Sequence, residues 1–277
     1  PWSAAYPSPR TRSSARAWSR TRSQKSLLAE ALRAWQRPPA ARPFVLGHRG
    51  ARHAAPENTL AAFELARQEG ADGIELDVRL DRDGQVIVLH DPTLGRVTQG
   101  AETRHAEDIS SRELARLDVG SGERVPLLAD VLSWAHTSGQ RVNIELKSDV
   151  RHRARLLQGV ARVMARAPLP QLIFSSFHPY FVWWLGKRLP TLPRAWLVHD
   201  RQRILKYAPG VEQLGANALH PQHTLVTPER MARLKARGLL VNVWTVNDST
   251  RARELARLGV DAIISDNPGE ILSALAP

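Results

Sequence analysis

The stretch "DGIELDVRLDRDGQVIVLH", residues 72–90, decides how the fold is interpreted. Apolar residues on both sides of "RLDRDG" predict two β-strands joined by a short link. That link is too short for the crossover that two parallel strands require. We therefore predict an antiparallel hairpin whose turn is centred near Arg82–Asp83, with Gly84 supplying a positive φ angle.

The predicted hairpin determines how many strands are left for the main sheet. Its pairing is expected to place Val88 opposite Asp77 and His90 opposite Glu75, so that the return strand rises above the sheet. From residue 43 onward, short apolar runs alternate with helical patterns, which is typical of repeated βα units. Nine strands are predicted, at 44–47, 72–78, 85–89, 141–146, 172–176, 195–198, 216–219, 240–246 and 261–265.

Without the return strand, eight parallel strands remain over about 230 residues, which is typical of a TIM barrel. We predict an α/β fold of the TIM (β/α)8 barrel class, with the β-hairpin after strand 2 and a small inserted segment at about 93–125. An open doubly wound sheet is the alternative. TIM-barrel active sites lie at the carboxyl ends of the strands, so polar residues at those positions are the functional candidates.

The composition of the 277-residue chain excludes some classes of site. It has no cysteine, which excludes a disulfide framework and a thiolate nucleophile. No run of about 18 apolar residues predicts a transmembrane segment. The formal charge of +12 is uneven: residues 1–42 carry nine Lys/Arg and one acid, and residues 43–277 carry 30 and 26.

The N-terminal extension differs in composition from the predicted barrel. Residues 1–42 are predicted to be mostly disordered, because they are rich in Ser, Arg and Pro, with a possible amphipathic helix at 24–37. Residues 43–277 are predicted to form the barrel domain. The extension has the composition of an organellar transit peptide, and a processed end or an overextended N-terminus fits as well. The predicted location is cytoplasmic, with organellar targeting as the alternative.

Acidic residues lie inside the otherwise apolar strands "IELDV" and "IELK". Glu75 and Asp77 are two apart and point to one side of the sheet, and Glu145 leaves a neighbouring strand at a similar height. Three such carboxylates repel one another unless a cation lies between them, and oxygen ligands select Mg²⁺ or Ca²⁺. The sequence predicts a divalent metal site; ion pairing with Arg49 and Lys147, without a metal, is the alternative.

Two histidines follow strands at the same predicted mouth. Imidazoles titrate near neutral pH, which suits His48 and His90 to general acid and base catalysis. Arg49 and Lys147 add fixed positive charge. Together with a metal, these groups suit in-line displacement at a phosphodiester. The motif "PENT" (56–59) is expected to open a helix and to fix the loop that carries His48.

The chain resembles the glycerophosphodiester phosphodiesterase family over about 44–272. The resemblance is carried, in order, by "GHRGA", "PENT", "DGIELDVRLDRDGQVIVLHDPTLGR", "RVPLLADVL", "NIELK", "SSF", "VNVWTVND" and "GVDAIISDNP". It implies an enzyme with a TIM barrel, a small insertion after "HD", and hydrolysis of glycerophosphodiesters to sn-glycerol 3-phosphate and an alcohol. Asp81 departs from the family, which commonly has Thr there, and is expected to affect only the hairpin.

The resemblance also implies roles for individual residues. By analogy with related barrel phosphodiesterases, His48 is assigned as base and His90 as acid; the nucleophile is either water or the neighbouring hydroxyl of the substrate. The implied site residues are His48 and His90 for catalysis, Arg49 and Lys147 for phosphate, Trp244 for the glycerol pocket, and Glu75, Asp77 and Glu145 for Mg²⁺ or Ca²⁺.

Two other functions are alternatives to this one. A lysophospholipase D-type phosphodiesterase would use the apolar "FHPYFVWWLG" (177–186), although a helix buried against the barrel, with its Trp residues filling the core, is favoured there. A binder of nucleic acid or anionic membrane would use the Arg-rich extension. The predicted partner is a small-molecule glycerophosphodiester, no specific nucleic acid is expected, and the oligomeric state is left open. Of the remaining histidines, His220 is the one expected closest to substrate.

Overall fold

A computed structural model describes residues 23–167, 169, 171–202 and 210–276. Eight parallel strands close into a barrel, since β1 pairs with both β2 and β9, and this confirms the predicted TIM barrel. The strands are β1 (Phe44–His48), β2 (Gly73–Leu80), β3 (Val86–Val88), β4 (Arg141–Leu146), β5 (Leu172–Ser176), β6 (Arg194–Val198), β7 (Ala218–Pro221), β8 (Leu240–Val243) and β9 (Ala262–Ser265).

Helices lie outside the barrel, where their apolar faces pack on the strands. Thr59 caps the helix after "PENT": its hydroxyl accepts the Ala62 N–H at 3.2 Å, as expected for this motif. The helices are α1 (Gln24–Trp35), α2 (Leu60–Gln68), α3 (Ser111–Leu114), α4 (Leu128–Ser138), α5 (Arg153–Met164), α6 (Pro179–Arg188), α7 (Pro228–Ala236), α8 (Ser249–Leu258) and α9 (Pro268–Ala274).

Helix α1 closes the amino-terminal end of the barrel. Trp35 is fully buried against inward-facing residues such as Leu46 and Ile173. Its indole N–H donates to the carbonyl of Leu172, the first residue of β5, at 3.1 Å. The opposite end, at the carboxyl ends of the strands, therefore stays available for a site. The part of the predicted disordered extension at 1–22 lies outside the described residues.

The hairpin register differs from the prediction by one residue. Val78 pairs with Val88, whereas Val88 was expected opposite Asp77. The turn is longer than expected: the Asp81 N–H donates to the Gln85 carbonyl at 3.1 Å, so three residues form the loop. A three-residue loop ending in a left-handed Gly pivots on its central residue, which shifts the register.

Asp81, the predicted departure from the family, stabilises this turn. Its carboxylate accepts the Gln85 N–H at 2.8 Å and the hydroxyl of Ser111 in α3. The expected pairing of His90 with Glu75 is also wrong, because the register places His90 one residue further along β2. The return strand nevertheless carries His90 past the end of β3, towards the barrel mouth.

The segment between the hairpin and α4 packs on β3 around a small core of its own. Leu94, Ile109 and Leu114 are buried there against Ile87 and Leu89. Ser110 and Glu113 form a reciprocal capping box at the start of α3. The inserted segment is thereby anchored beside the mouth. Among the described residues, no helix is long and apolar enough to cross a membrane.

Candidate active site

Three buried carboxylates meet at the carboxyl ends of β2 and β4. Asp77 and Glu145 are direct register partners, and Glu75 points to the same side of β2. One oxygen from each lies within 4.8 Å of the others. We call Glu75, Asp77 and Glu145 the acidic centre. The structure thus brings together the three residues of the predicted metal site.

Two cations contact the acidic centre. Lys147 Nζ lies 2.9 Å from Glu145 Oε1 and 3.4 Å from Asp77 Oδ1, and Arg49 Nε lies 3.2 Å from Asp77 Oδ2. The ion pairs considered as the alternative to a metal are therefore present. They still leave three carboxylates facing two cations. A buried all-oxygen donor set with more carboxylates than cations fits a hard divalent cation, so the acidic centre could hold a metal ion.

The pKa values of the carboxylates in the acidic centre are shifted in opposite directions. Burial raises the pKa of Glu75 well above its usual value, and the charges of Asp77 and Glu145 add to this. Burial also raises the pKa of Glu145. At Asp77 burial acts in the same direction, but Lys147 and Arg49 outweigh it and hold the pKa well below its usual range. Asp77 is therefore the carboxylate whose charge the two cations stabilise.

The backbone around Arg49 is folded tightly against Glu75. Arg49 adopts a left-handed φ of 59°, which is rare outside glycine and is typical of strained functional positions. Its N–H donates to the Glu75 carbonyl at 2.9 Å. At Gly50, with φ 83°, a side chain would lie 2.5 Å from the backbone of Ala62. The glycines of "GHRGA" are therefore required by this close approach to α2.

His48 is oriented by a carboxylate that sequence reasoning missed. Its Nδ1 lies 2.6 Å from Asp266 Oδ1, and its Nε2 lies 4.0 Å from Glu75 Oε2. Asn247 donates to the other Asp266 oxygen at 2.7 Å. Burial lowers the pKa of His48, and Asp266 opposes this. Asp266 directly follows β9, so the strand-end rule could have identified it.

Hydrogen bonds to both the backbone carbonyl and the imidazole ring fix the position of His90. Its Nδ1 lies 2.7 Å from Asp91 Oδ1, and its carbonyl accepts the Arg79 Nε–H at 2.8 Å. Arg79 is buried and forms an ion pair with Asp149 at 2.8 Å. Burial lowers the pKa of His90, and the charges of Asp77, Lys147 and Arg49 also act on it. The imidazole therefore lies within the electrostatic field of the acidic centre.

A chain of ion pairs links the His90 side of the mouth to Arg49. Arg96, from the inserted segment, donates to Asp91 at 2.6 Å and to both oxygens of Glu57 at 2.7 and 2.9 Å. Glu57 also accepts from Arg49 at 2.9 Å. Sequence reasoning missed Arg96, because the inserted segment has no periodicity that could point to it. Glu57, the second residue of "PENT", thus forms ion pairs that position Arg49 and Arg96.

The amide of Asn58 acts on the acidic centre directly. It donates to Asp77 Oδ2 at 3.0 Å, and Asn58 itself adopts a left-handed φ of 58°. The motif was expected to open a helix and to fix the loop that carries His48, and this contact with Asp77 was not predicted. Its buried amide orients one of the three carboxylates.

Trp244 lies on the other side of the mouth, directly after β8. Its indole N–H donates to the His220 carbonyl at 2.8 Å, and its ring packs edge-to-face on Phe177 at 5.5 Å. His220 is fully buried beside Asn242, with its Nε2 3.0 Å from the Asn242 amide nitrogen. Burial lowers the pKa of His220 to about 3. His220 is therefore a neutral structural group beneath Trp244 and is not exposed to substrate.

Residues 48–270 match the model of the glycerophosphoryl diester phosphodiesterase family. The chain belongs to this family. It is 32% identical over 242 residues to a glycerophosphodiester phosphodiesterase of Caldanaerobacter subterraneus, a match that covers 83% of this chain and 96% of that protein.

Solved structures of similar proteins support the same family. A phosphodiesterase of Oleispira antarctica in complex with the product sn-glycerol-3-phosphate has a TM-score of 0.75 and 31% identity, over 84% of this chain and 97% of the other. A glycerophosphodiester phosphodiesterase of Thermotoga maritima has a TM-score of 0.71 and 28% identity, over 84% and 98%. The chain is an enzyme with glycerophosphodiester phosphodiesterase activity, as the sequence predicted.

Proposed function

We propose that the chain hydrolyses glycerophosphodiesters to sn-glycerol 3-phosphate and an alcohol, using a divalent cation in the acidic centre and two histidines. One observation carries the proposal: each imidazole has its Nδ1 tied by a carboxylate, Asp266 for His48 and Asp91 for His90. A proton on each Nδ1 leaves Nε2 to exchange protons with a substrate. The relative of Oleispira antarctica with bound sn-glycerol-3-phosphate supports this choice of product.

The acidic centre would hold Mg²⁺ or Ca²⁺ through Glu75, Asp77 and Glu145. When bound, such a cation would polarise a phosphoryl oxygen and offset the charge of the phosphodiester. Arg49 and Lys147 already contact these carboxylates, so their cationic groups lie where phosphate oxygens would approach the centre. Both cations would therefore bind and orient the phosphate.

The two histidines would divide the proton transfers. His48 Nε2 faces Glu75 and would take a proton from the attacking oxygen, while His90 would give one to the leaving alcohol. The attacking oxygen belongs either to water or to a neighbouring hydroxyl of the substrate. Phosphorus NMR of the products separates the two routes, because only the second passes through a cyclic phosphate. Trp244 would line the pocket for the glycerol group.

The central experiment measures sn-glycerol 3-phosphate release from glycerophosphocholine and glycerophosphoethanolamine. Purified protein is treated with EDTA, and Mg²⁺ or Ca²⁺ is then restored. Release should require the metal and should be lost in His48→Ala and Glu75→Ala, because each removes one part of the proposed site. Arg67→Ala is the control, since Arg67 forms an exposed ion pair with Glu64 on α2. Equal release with and without metal would exclude the metal-dependent route.

A lysophospholipase D-type activity is the second candidate, because α6 exposes aromatic rings. Trp184 packs partly against the core as predicted, but Trp183 is 43% exposed, so the prediction that both tryptophans fill the core was wrong for Trp183. Rings at this position could contact an acyl chain. Turnover of long-chain lysophosphatidylcholine beside glycerophosphocholine tests the idea; preference for the deacylated substrate would reject it.

A further inference from the structure

Residues 150–199 form an unusually basic part of the barrel. These 50 residues contain eight Lys/Arg and no Asp/Glu, although the whole chain contains 27 acids. Residues 43–277 together carry a net charge of only +4, so the remainder of the barrel domain is net negative. The positive charge is therefore concentrated on one side of the barrel, on the stretch that includes α5 and α6.

Most of these cations are available at the surface. Six are exposed and make no ion pair with any carboxylate that the structure describes, whereas Arg151 pairs with Asp108 at 2.5 Å and Arg194 is buried. Helices α5 and α6 pack side by side, so their exposed residues lie on neighbouring surfaces. Arg162 and Arg166 lie on the flank of α5 that faces α4 and the hairpin turn, where they share a groove with Asp83. The six exposed cations are Arg153, Arg155, Arg162, Arg166, Lys187 and Arg188. We call the surface that carries these cations, together with Tyr180 and Trp183, the basic aromatic face.

Two exposed aromatic rings of α6 lie among these cations. Tyr180 is 48% exposed and Trp183 is 43% exposed, and their rings stack with centroids 5.8 Å apart. Lys187 lies one turn after Trp183 on the same helical face. Amphipathic rings beside lysine and arginine are typical of surfaces that bind the headgroup region of membranes.

The basic aromatic face reaches the mouth of the barrel. The Tyr180 ring lies 6.3 Å from the ring of His178, the residue that precedes α6. The preceding residue, Phe177, packs edge-to-face on Trp244. Aromatic side chains thus extend from the outer face of α6 to the candidate glycerol pocket. A surface docked on this face would lie beside the active site.

We propose that the basic aromatic face docks on anionic phospholipid membranes. Unpaired cations complement the negative headgroups, and Tyr180 and Trp183 can insert into the interfacial layer. A single-stranded nucleic acid fits less well, because stacking platforms line grooves and take bases between or upon free rings. Here the two rings stack on each other on the convex face of a helix. The proposal does not depend on the catalytic mechanism.

The test is sedimentation of the full chain with sucrose-loaded vesicles of phosphatidylcholine alone or with about 30% phosphatidylglycerol. We expect binding only with the anionic lipid. Reversal of two charges, Arg162→Glu with Lys187→Glu, should weaken it by at least about tenfold, since each cation near a membrane contributes about fivefold. The matched control is Arg253→Glu with Arg257→Glu, which reverses two exposed charges on α8, away from this face.

Loss of the rings is tested by Tyr180→Ala with Trp183→Ala. The control is Leu60→Ala, which shortens an exposed apolar side chain outside this face. The double variant should bind vesicles about tenfold more weakly, and thermal unfolding should show that it is folded. Binding equal to that of the parent chain in both double variants would overturn the proposal, because vesicle binding would then depend on another part of the chain. Binding of a single-stranded DNA oligonucleotide that the same variants abolish, without vesicle binding, would replace the membrane with nucleic acid.

Discussion

The two halves of the barrel mouth bury polar groups in opposite ways. On the β2 and β4 side, buried carboxylates are in contact with the cations of Arg49 and Lys147. On the β7 and β8 side, the described neighbours of His220 supply no counter-charge, and burial alone lowers its pKa to about 3. A charge is retained on burial only where an opposite charge lies close enough to repay its desolvation. The charged half therefore suits a phosphate and a metal, and the neutral half suits an alcohol.

Replacing the histidines of the charged half should have the largest effect. His48→Asn and His90→Asn should each lower kcat/KM by about 10²–10⁴, the usual contribution of a positioned acid or base. Steady-state assays on glycerophosphocholine check this. His136→Asn, an exposed change on α4, is the control and should be silent. A loss confined to one of the two histidines would break the proposed division between base and acid.

The neutral half should respond to pH through stability. The pKa of His220 is about 3 in the folded protein, against an ordinary value of 6.5. Between these two pH values His220 is therefore protonated in the unfolded chain and neutral in the folded protein. The free energy of unfolding should therefore fall by up to about 1.4 kcal/mol per pH unit as the pH drops below about 6.5. Denaturant unfolding between pH 7 and 4 measures this slope.

His220→Gln should remove this contribution, because glutamine does not titrate. His136→Asn should retain it, since that side chain is exposed. The same slope in both variants would show that the proton is taken up elsewhere in the chain. The claim that His220 is buried as a neutral group would then be rejected.

Arg96 tests how the inserted segment supports the charged half. Arg96→Ala leaves Asp91 and Glu57 without their shared partner, and we expect kcat/KM to fall about 10–100-fold, as for other residues that orient site groups. Arg96→Lys should recover only part of the lost kcat/KM, because an ammonium group cannot bind Asp91 and both oxygens of Glu57 at once as the planar guanidinium does. Arg104→Ala removes ion pairs of the same segment to Glu102 and Glu113 and should be silent. Equal losses in Arg96→Ala and Arg104→Ala would indicate loosening of the segment.

The smallest effect is expected at Trp244. Trp244→Ala should raise KM for glycerophosphocholine about tenfold with little change in kcat, because it removes a contact made equally in the ground and transition states. Trp244→Phe should recover most of the affinity. A fall in kcat at unchanged KM would instead assign Trp244 to the charged half of the mechanism.

The sequence correctly predicted which residues lie close together wherever the period of a strand and the position of its end were enough to place them. Glu75, Asp77 and Glu145 were found because acids inside apolar strands are costly and because strand ends converge in a barrel. Arg49 and Lys147 follow the same strands and meet the same centre. The roles proposed for these residues still await the experiments above. Their proximity needed only the period of the strand and the direction of the chain.

The sequence by itself determined the barrel class and the residues of its acidic centre, because the period of apolar residues and the order of strands are local properties. Only the tertiary structure decided what orients those residues. Asp266 reaches His48 across 218 positions of the chain, and Arg96 reaches Glu57 across 39. Such contacts depend on how the barrel closes and how the inserted segment packs. The hairpin register and the exposure of Trp183 were also decided only by the tertiary structure. One extra residue in the turn shifts the pairing of the two strands, and the rotation of a helix about its axis sets which of its side chains are buried.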